Sequence, residues 1–236
     1  MNQPDPPLTS YPAKRCWQTQ EAAARYRVSR LPANFKRFHL EETILHRWLD
    51  GLPSNALILD VPCGTGRFLP TLTSHGYRYL GADISEAMIA EARSQATSPL
   101  VEGFIHADAA KLPLPDEHVD CVIIWRLLHH IADATARLAI LREAARVTRD
   151  RVIISFHHPI SFTAVKKRFR RRFLGRGHGT EFTQWRLERE VMACGLELVE
   201  ATSFRKYISI NWFARLAKVR APGRDRLGTR SFSPAT

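Results

Sequence analysis

Long apolar runs are absent from this sequence: nothing in its 236 residues approaches the ~20 consecutive apolar positions that a membrane-spanning helix needs. The opening Met1-Asn2-Gln3-Pro4-Asp5-Pro6-Pro7 also lacks the apolar centre of a signal peptide, so a cytoplasmic location is expected. Cysteine is scarce, and Cys16, Cys63, Cys121 and Cys194 stand too far apart for a metal-spaced pair or a disulfide framework. Reduced thiols are the simplest reading, and no metal site is expected. Excess acid is missing as well: 35 Lys and Arg stand against 23 Asp and Glu, a formal net charge of +12. The length suits one domain with a substantial core, and the apolar share of 44% is ordinary for a globular chain.

What is present is organised around Leu57 to Leu69. Ala56 to Leu59 reads as a buried strand, a turn of small residues follows, and the apolar segment after it fits a helix. Gly64 and Gly66 permit a backbone that side chains would block, so a ligand can lie against the main chain near a helix N-terminus. A dinucleotide fingerprint needs a third glycine three residues beyond Gly66, and that position is Leu69. No Lys-Ser or Lys-Thr follows the glycines, which excludes a phosphate-cradling P-loop. Asp60, at the mouth of the loop, would repel a pyrophosphate but can pair with an ammonium. A ligand carrying a cation fits better.

Asp60-Val61-Pro62-Cys63-Gly64-Thr65-Gly66 resembles the first motif of class I S-adenosylmethionine-dependent methyltransferases, with Pro62 where the first glycine usually stands. The likeness extends over residues 18 to 219 and is to the small-molecule, ubiquinone-biosynthesis-like type. It implies S-adenosyl-L-methionine as cofactor. It also implies an α/β, Rossmann-like, doubly wound sheet of seven strands, mostly parallel with an antiparallel last strand and helices on both faces. Asp60, Pro62, Cys63, Gly64 and Gly66 are its cofactor loop. A second buried strand ends at Asp83, with Ser85 as a helix N-cap and Glu86 in the first turn. An acid at that strand end can accept hydrogen bonds from both ribose hydroxyls; its plainer role would be to cap the helix. By resemblance, Ile84 and Met88 pack on the adenine, and Asp108 and the Ala109 backbone read its edge. The Tyr26 and Arg30 pair resembles an N-terminal signature in which the arginine reaches the cofactor's carboxylate; the alternative is a surface arginine on a covering helix.

Further strands are expected near Phe104 to His106, at Val119 to Trp125 and at Arg151 to Phe156, with a closing antiparallel pair at Leu196 to Ser203 and Tyr207 to Val219. Ligands of open parallel sheets sit beyond the carboxyl ends of the strands, which places residues 125 to 130 at the site. The resemblance puts the Trp125 backbone against the cofactor's amino-acid end. His129 or His130 can act as a base, and His157 and His158 form a second pair of candidates; a structural role for the Leu-His-His segment stands beside the catalytic one. Within each histidine pair the side chains tend to point apart, and no acid or cysteine completes a metal-ligand spacing.

The basic charge is uneven. Residues 164 to 186 and 205 to 236 each hold eight Lys or Arg and one acid, leaving 19 basic against 21 acidic residues elsewhere. These segments, with 205–230 the core of the second, either contact phosphates of RNA, of an anionic membrane or of a small molecule, or form a solvated face and tail. The expected layout is a flexible N-terminus over 1–17, one domain over 18–219 with a basic insert or lid at 160–180, and a disordered basic tail over 220–236. Methyl transfer to a small-molecule or lipid-linked acceptor is the expected activity, with a peripheral position at the inner membrane face open. No specific protein partner is inferred. A transfer-RNA methyltransferase and a non-catalytic cofactor-binding protein are the alternatives.

Overall fold

In the computed structural model, residues 19–30, 35–159, 184–203 and 209–219 are described. In chain order they form α1 (Gln20–Arg30), α2 (Phe35–Leu49), β1 (Leu57–Asp60), α3 (Leu69–Ser74), β2 (Arg78–Asp83), α4 (Glu86–Ser94), β3 (Val101–His106) and β4 (Val119–Ile124). A 3-10 turn (Leu128–His130), α5 (Ala134–Val147), β5 (Thr148–His157), α6 (Gln184–Met192), β6 (Leu196–Ser203) and β7 (Asn211–Lys218) follow.

The strands make one seven-stranded sheet in the order β3-β2-β1-β4-β5-β7-β6. β7 runs antiparallel to both β5 and β6, so the remaining strands share one direction. The central strands are apolar on both sides because helices cover both faces. Alternation along each strand sends side chains to opposite layers. Leu59, Val122, Ile124, Val152 and Ile154 meet α5 and α6 through Ile140, Leu141, Leu187 and Val191. Ile58, Cys121, Ile123 and Ile153 meet α2 and α3 through Leu45, Trp48 and Leu72.

Local chemistry sets the element starts. Ser85 caps α4 by accepting from the Met88 N–H at 3.3 Å, and Asp133 caps α5 by accepting from the N–H groups of Thr135 and Ala136. The Ser85 cap agrees with the sequence reading. The helix after the glycine turn is short, six residues entered through Pro70. β3 begins at Val101, ahead of the expected Phe104, and β5 begins at Thr148, where α5 runs directly into the strand. There the Thr148 hydroxyl donates to the Arg151 carbonyl at 3.0 Å. Between β3 and β4 the chain crosses without a helix, through the 107–118 loop.

No helix among the described residues is long and apolar enough to cross a membrane. The N-terminal 1–17 stretch, Cys16, Pro32, the 160–180 insert and the 220–236 tail lie outside the described residues, and so does the side chain of Arg30. Within the second basic segment, Arg215 and Lys218 belong to β7. Lys218 Nζ donates to the Glu117 carboxylate at 3.0 Å and to the Thr148 carbonyl at 2.9 Å, so this lysine ties the sheet to its neighbouring loops.

Candidate cofactor site

Every strand that contributes to the candidate site does so at its carboxyl end. Asp60 closes β1, Asp83 closes β2, Asp108 follows β3, Trp125 follows β4 and His157 closes β5. The glycine turn is bound to this edge from both sides, with the Val61 N–H donating to the Ile123 carbonyl at 2.9 Å and the Cys63 N–H to the Ala82 carbonyl at 2.8 Å. Pro62 is half-buried and Cys63 is buried. Gly64 (φ 54°) and Gly66 (φ 76°) occupy the left-handed region, which glycine enters without a side-chain penalty. A side chain on Gly66 would press against Ala92 of α4 at 3.3 Å, whereas one on Gly64 would meet nothing within 4 Å. The turn is thus packed underneath and open above.

Asp83 holds this arrangement. One carboxylate oxygen accepts the Gly64 N–H at 2.8 Å and the other the Ser85 N–H at 2.9 Å. The acid therefore fixes the turn and the start of α4 together, and each oxygen keeps a lone pair for a further donor. Burial raises its pKa, while the backbone donors at Ser85, Gly64 and Ile84 pull it down. Met88 is buried and Ile84 half-buried beside it. Asp108 accepts the Ala110 N–H at 3.0 Å, and Ala109 is half-buried in the same turn. A set of acceptor acids beside an open glycine turn suits a ligand with ribose hydroxyls, an amine-bearing base and a positive charge.

Asp60 lies beneath the turn rather than at its open mouth, only 1% exposed and bonded by the Tyr79 hydroxyl at 3.1 Å. Burial raises its pKa to about 7, with the Asp83 charge adding to the rise and Tyr79 and Arg67 opposing it. A carboxyl raised this far holds its proton in the folded chain and releases it in the unfolded one between pH 3.8 and about 7. Across that window stability should fall with rising pH, by about 1.4 kcal/mol per unit at most. Thermal melts from pH 5 to 8 should show wild type losing ground to Asp60→Asn; parallel profiles would contradict the shift.

Trp125 turns its ring into the core, stacked on Phe213 at 4.7 Å and edge-on to Phe68 at 5.1 Å, which leaves its backbone at the strand end. Its indole N–H donates to Glu41 at 3.3 Å. Glu41 of α2, 1% exposed, also receives Arg67 from the glycine turn and Arg126 after β4, the latter at 2.9 Å. This buried carboxylate with two guanidiniums escaped the sequence reading. Its signal was the spacing of Glu41, Leu45 and Trp48, which puts the acid on the apolar face of α2.

The histidines sort differently from their order in the chain. His129 and His157 stack face to face with ring centroids 3.8 Å apart, both buried. His130 is exposed, yet its ring lies 4.2 Å from that of His129, against the expectation that the two point apart, and His158 stacks on Trp212 at 4.5 Å. Among the described residues no three His, Cys, Asp or Glu side chains converge as a metal site would require.

Residues 58–151 match a family described as a methyltransferase domain. The tRNA (carboxymethyluridine(34)-5-O)-methyltransferase of Arabidopsis thaliana is 32% identical over 117 residues, 47% of this chain and 27% of that protein. The ubiquinone/menaquinone biosynthesis C-methyltransferase UbiE of Pseudomonas putida is 34% identical over 136 residues, 53% of this chain and 48% of that one. The chain thus matches about half or less of the length of these curated relatives. In fold it resembles the magnesium protoporphyrin IX methyltransferase of Synechocystis PCC 6803, crystallised with bound SAH, at a TM-score of 0.61 and 20% identity over 78% of this chain and 82% of that one. The match to a methyltransferase domain over residues 58–151 thus spans the glycine turn and the acids at successive strand ends, in a fold like that of the Synechocystis enzyme.

Proposed function

We propose that the protein transfers a methyl group from S-adenosyl-L-methionine to a small-molecule or lipid-linked acceptor. The observation that carries this reading is the pair of acids, Asp83 and Asp108, at the carboxyl ends of adjacent strands beside a glycine turn that is open above and underlain by buried Asp60. In this assignment Asp83 takes the ribose hydroxyls, while Ile84, Met88, Asp108 and Ala109 hold the adenine. The turn from Pro62 to Gly66 lies under the amino-acid end. The cofactor supplies an activated methyl carbon, so the chain's own work is alignment of a nucleophile and exclusion of water. His129 and His157 are the candidate base, because a neutral imidazole can take a proton from an acceptor hydroxyl or carbon acid. The likeness to a quinone C-methyltransferase supports an acceptor of that general kind.

The likeness to a tRNA methyltransferase supports a second reading, in which the basic segments meet RNA. Methyl-labelled cofactor, incubated with the protein and separately with lipid extract, small-metabolite extract and bulk transfer RNA, distinguishes the two. Label should enter the lipid or metabolite fraction. Label confined to RNA would overturn the first reading in favour of the second, and none in any fraction would favour a binding protein that keeps the fold.

A further inference from the structure

Two histidines that the candidate site does not use join the ends of α2 and α3. His46 lies in the last turn of α2, and His75 caps the end of α3 with its backbone N–H. Their rings stand edge to face with centroids 3.5 Å apart. The His75 Nδ1 lies 2.7 Å from the Thr71 carbonyl, which can only accept, so Nδ1 carries the hydrogen and Nε2 is left to take a second proton. On His46 the Nε2 atom is buried and has no hydrogen-bond partner among the described residues. An imidazolium carries N–H on both nitrogens, so charging His46 would seal an unpaired N–H away from water.

Burial lowers the His46 pKa below 6.5 and charge on His75 lowers it further, while Asp50 after α2 and Glu42 one turn earlier raise it. Glu42 is itself engaged, by the Thr71 hydroxyl of α3 and by His39 at 3.2 Å. Arg47 is paired with Glu200, and Tyr77, on the link from α3 to β2, donates to the Leu49 carbonyl at 3.3 Å. In the unfolded chain His46 binds its proton at 6.5 and in the folded chain only at lower pH. Its contribution to stability is therefore complete above 6.5 and is lost as pH falls through that window. Asp60 drives stability the other way over an overlapping range, and a change at His75 separates the two effects.

α3 is fastened to the glycine turn. Its first residue, Leu69, donates its N–H to the Gly66 carbonyl at 3.2 Å, and Leu72 packs in one cluster with Leu45 and Trp48 of α2. We propose that the His46–His75 contact is an acid-sensitive latch: when both rings are charged, α2 and α3 part at this end and the glycine turn loosens its hold on its ligand. That this ligand is the methyl donor rests on the methyltransferase reading above.

The test combines NMR titration of the histidine rings with calorimetric binding of S-adenosylhomocysteine at pH 7.5 and 5.5, on wild type, His75→Gln and His46→Gln. His75 is exposed, so its replacement leaves the core intact. In His75→Gln the pH at which the His46 ring titrates should move up toward 6.5. Between pH 7.5 and 5.5 wild type should lose roughly fivefold more affinity than His75→Gln, and His46→Gln should behave as His75→Gln does. A His46 titration that ignores the change at His75 overturns the latch, as does the same pH dependence of affinity in all three proteins. A wild type that binds no S-adenosylhomocysteine at either pH overturns the methyltransferase reading, while the ring titration still decides whether the two histidines are coupled.

Discussion

Asp83→Asn should lower affinity for S-adenosylmethionine and its demethylated product by about 100-fold or more, since two hydrogen bonds to a charged acceptor contribute roughly 1.5–3 kcal/mol each. Asparagine has nearly the same shape, which makes the result diagnostic. Both carboxylate oxygens of Asp83 already accept backbone N–H groups, from Gly64 and Ser85. An amide can accept on one side only, so its NH2 would face one of those donors. The turn would lose its anchor or α4 its start, and the ribose would lose a partner in either case. Titration of the variant beside wild type, with melts to separate binding from folding, checks this; affinity within threefold of wild type would remove Asp83 from the ribose role.

Arg137→Ala should have the largest effect on stability, about 3–5 kcal/mol, because it breaks a buried pair by removing one partner. Arg137 of α5 has a fully buried guanidinium that donates to Glu190 of α6 at 3.1 and 2.7 Å. The same group donates to the carbonyls of Ile131 and Ala132 at 3.0 and 2.7 Å. Alanine would leave those carbonyls without this donor and Glu190, among the described residues, with the longer contact from Arg186. The consequence reaches the site, since Ile131 directly follows the turn that carries His129. For a chain of this size the loss corresponds to a fall of roughly 10 °C in Tm, measurable by calorimetry. A Tm within 2 °C of wild type would show that α5 and α6 are held by their apolar faces alone.

The sheet and the glycine turn were legible because their signals are local. A short apolar run ending in an acid can be read at Leu57 to Asp60, where a turn of small residues follows, and again at Tyr79 to Asp83, where the Ser85 cap follows. Boundaries were less legible where polar residues continue a strand. Glu102 and Gly103 interrupt the apolar run of β3, yet Gly103 pairs with Leu80. Thr148 looks like part of a turn, yet it pairs with Val119 of β4.

Side-chain partnerships across the sheet were not legible. The sequence presents His129-His130 and His157-His158 as two equivalent pairs, and only the adjacency of β4 and β5 selects His129 with His157 and sends His158 to Trp212. Glu41 has the same difficulty. Beside Glu42 on an amphipathic helix, it is distinguished only by sharing a face with Leu45 and Trp48, and its arginines come from the turns after β1 and β4.

The most direct measurement is calorimetric titration of the wild-type chain with S-adenosylmethionine and S-adenosylhomocysteine. The acids and glycine turn at the strand ends lead to saturable one-to-one binding of both. Absence of binding by either ligand between pH 6 and 8 would contradict the cofactor site on which every residue assignment here depends.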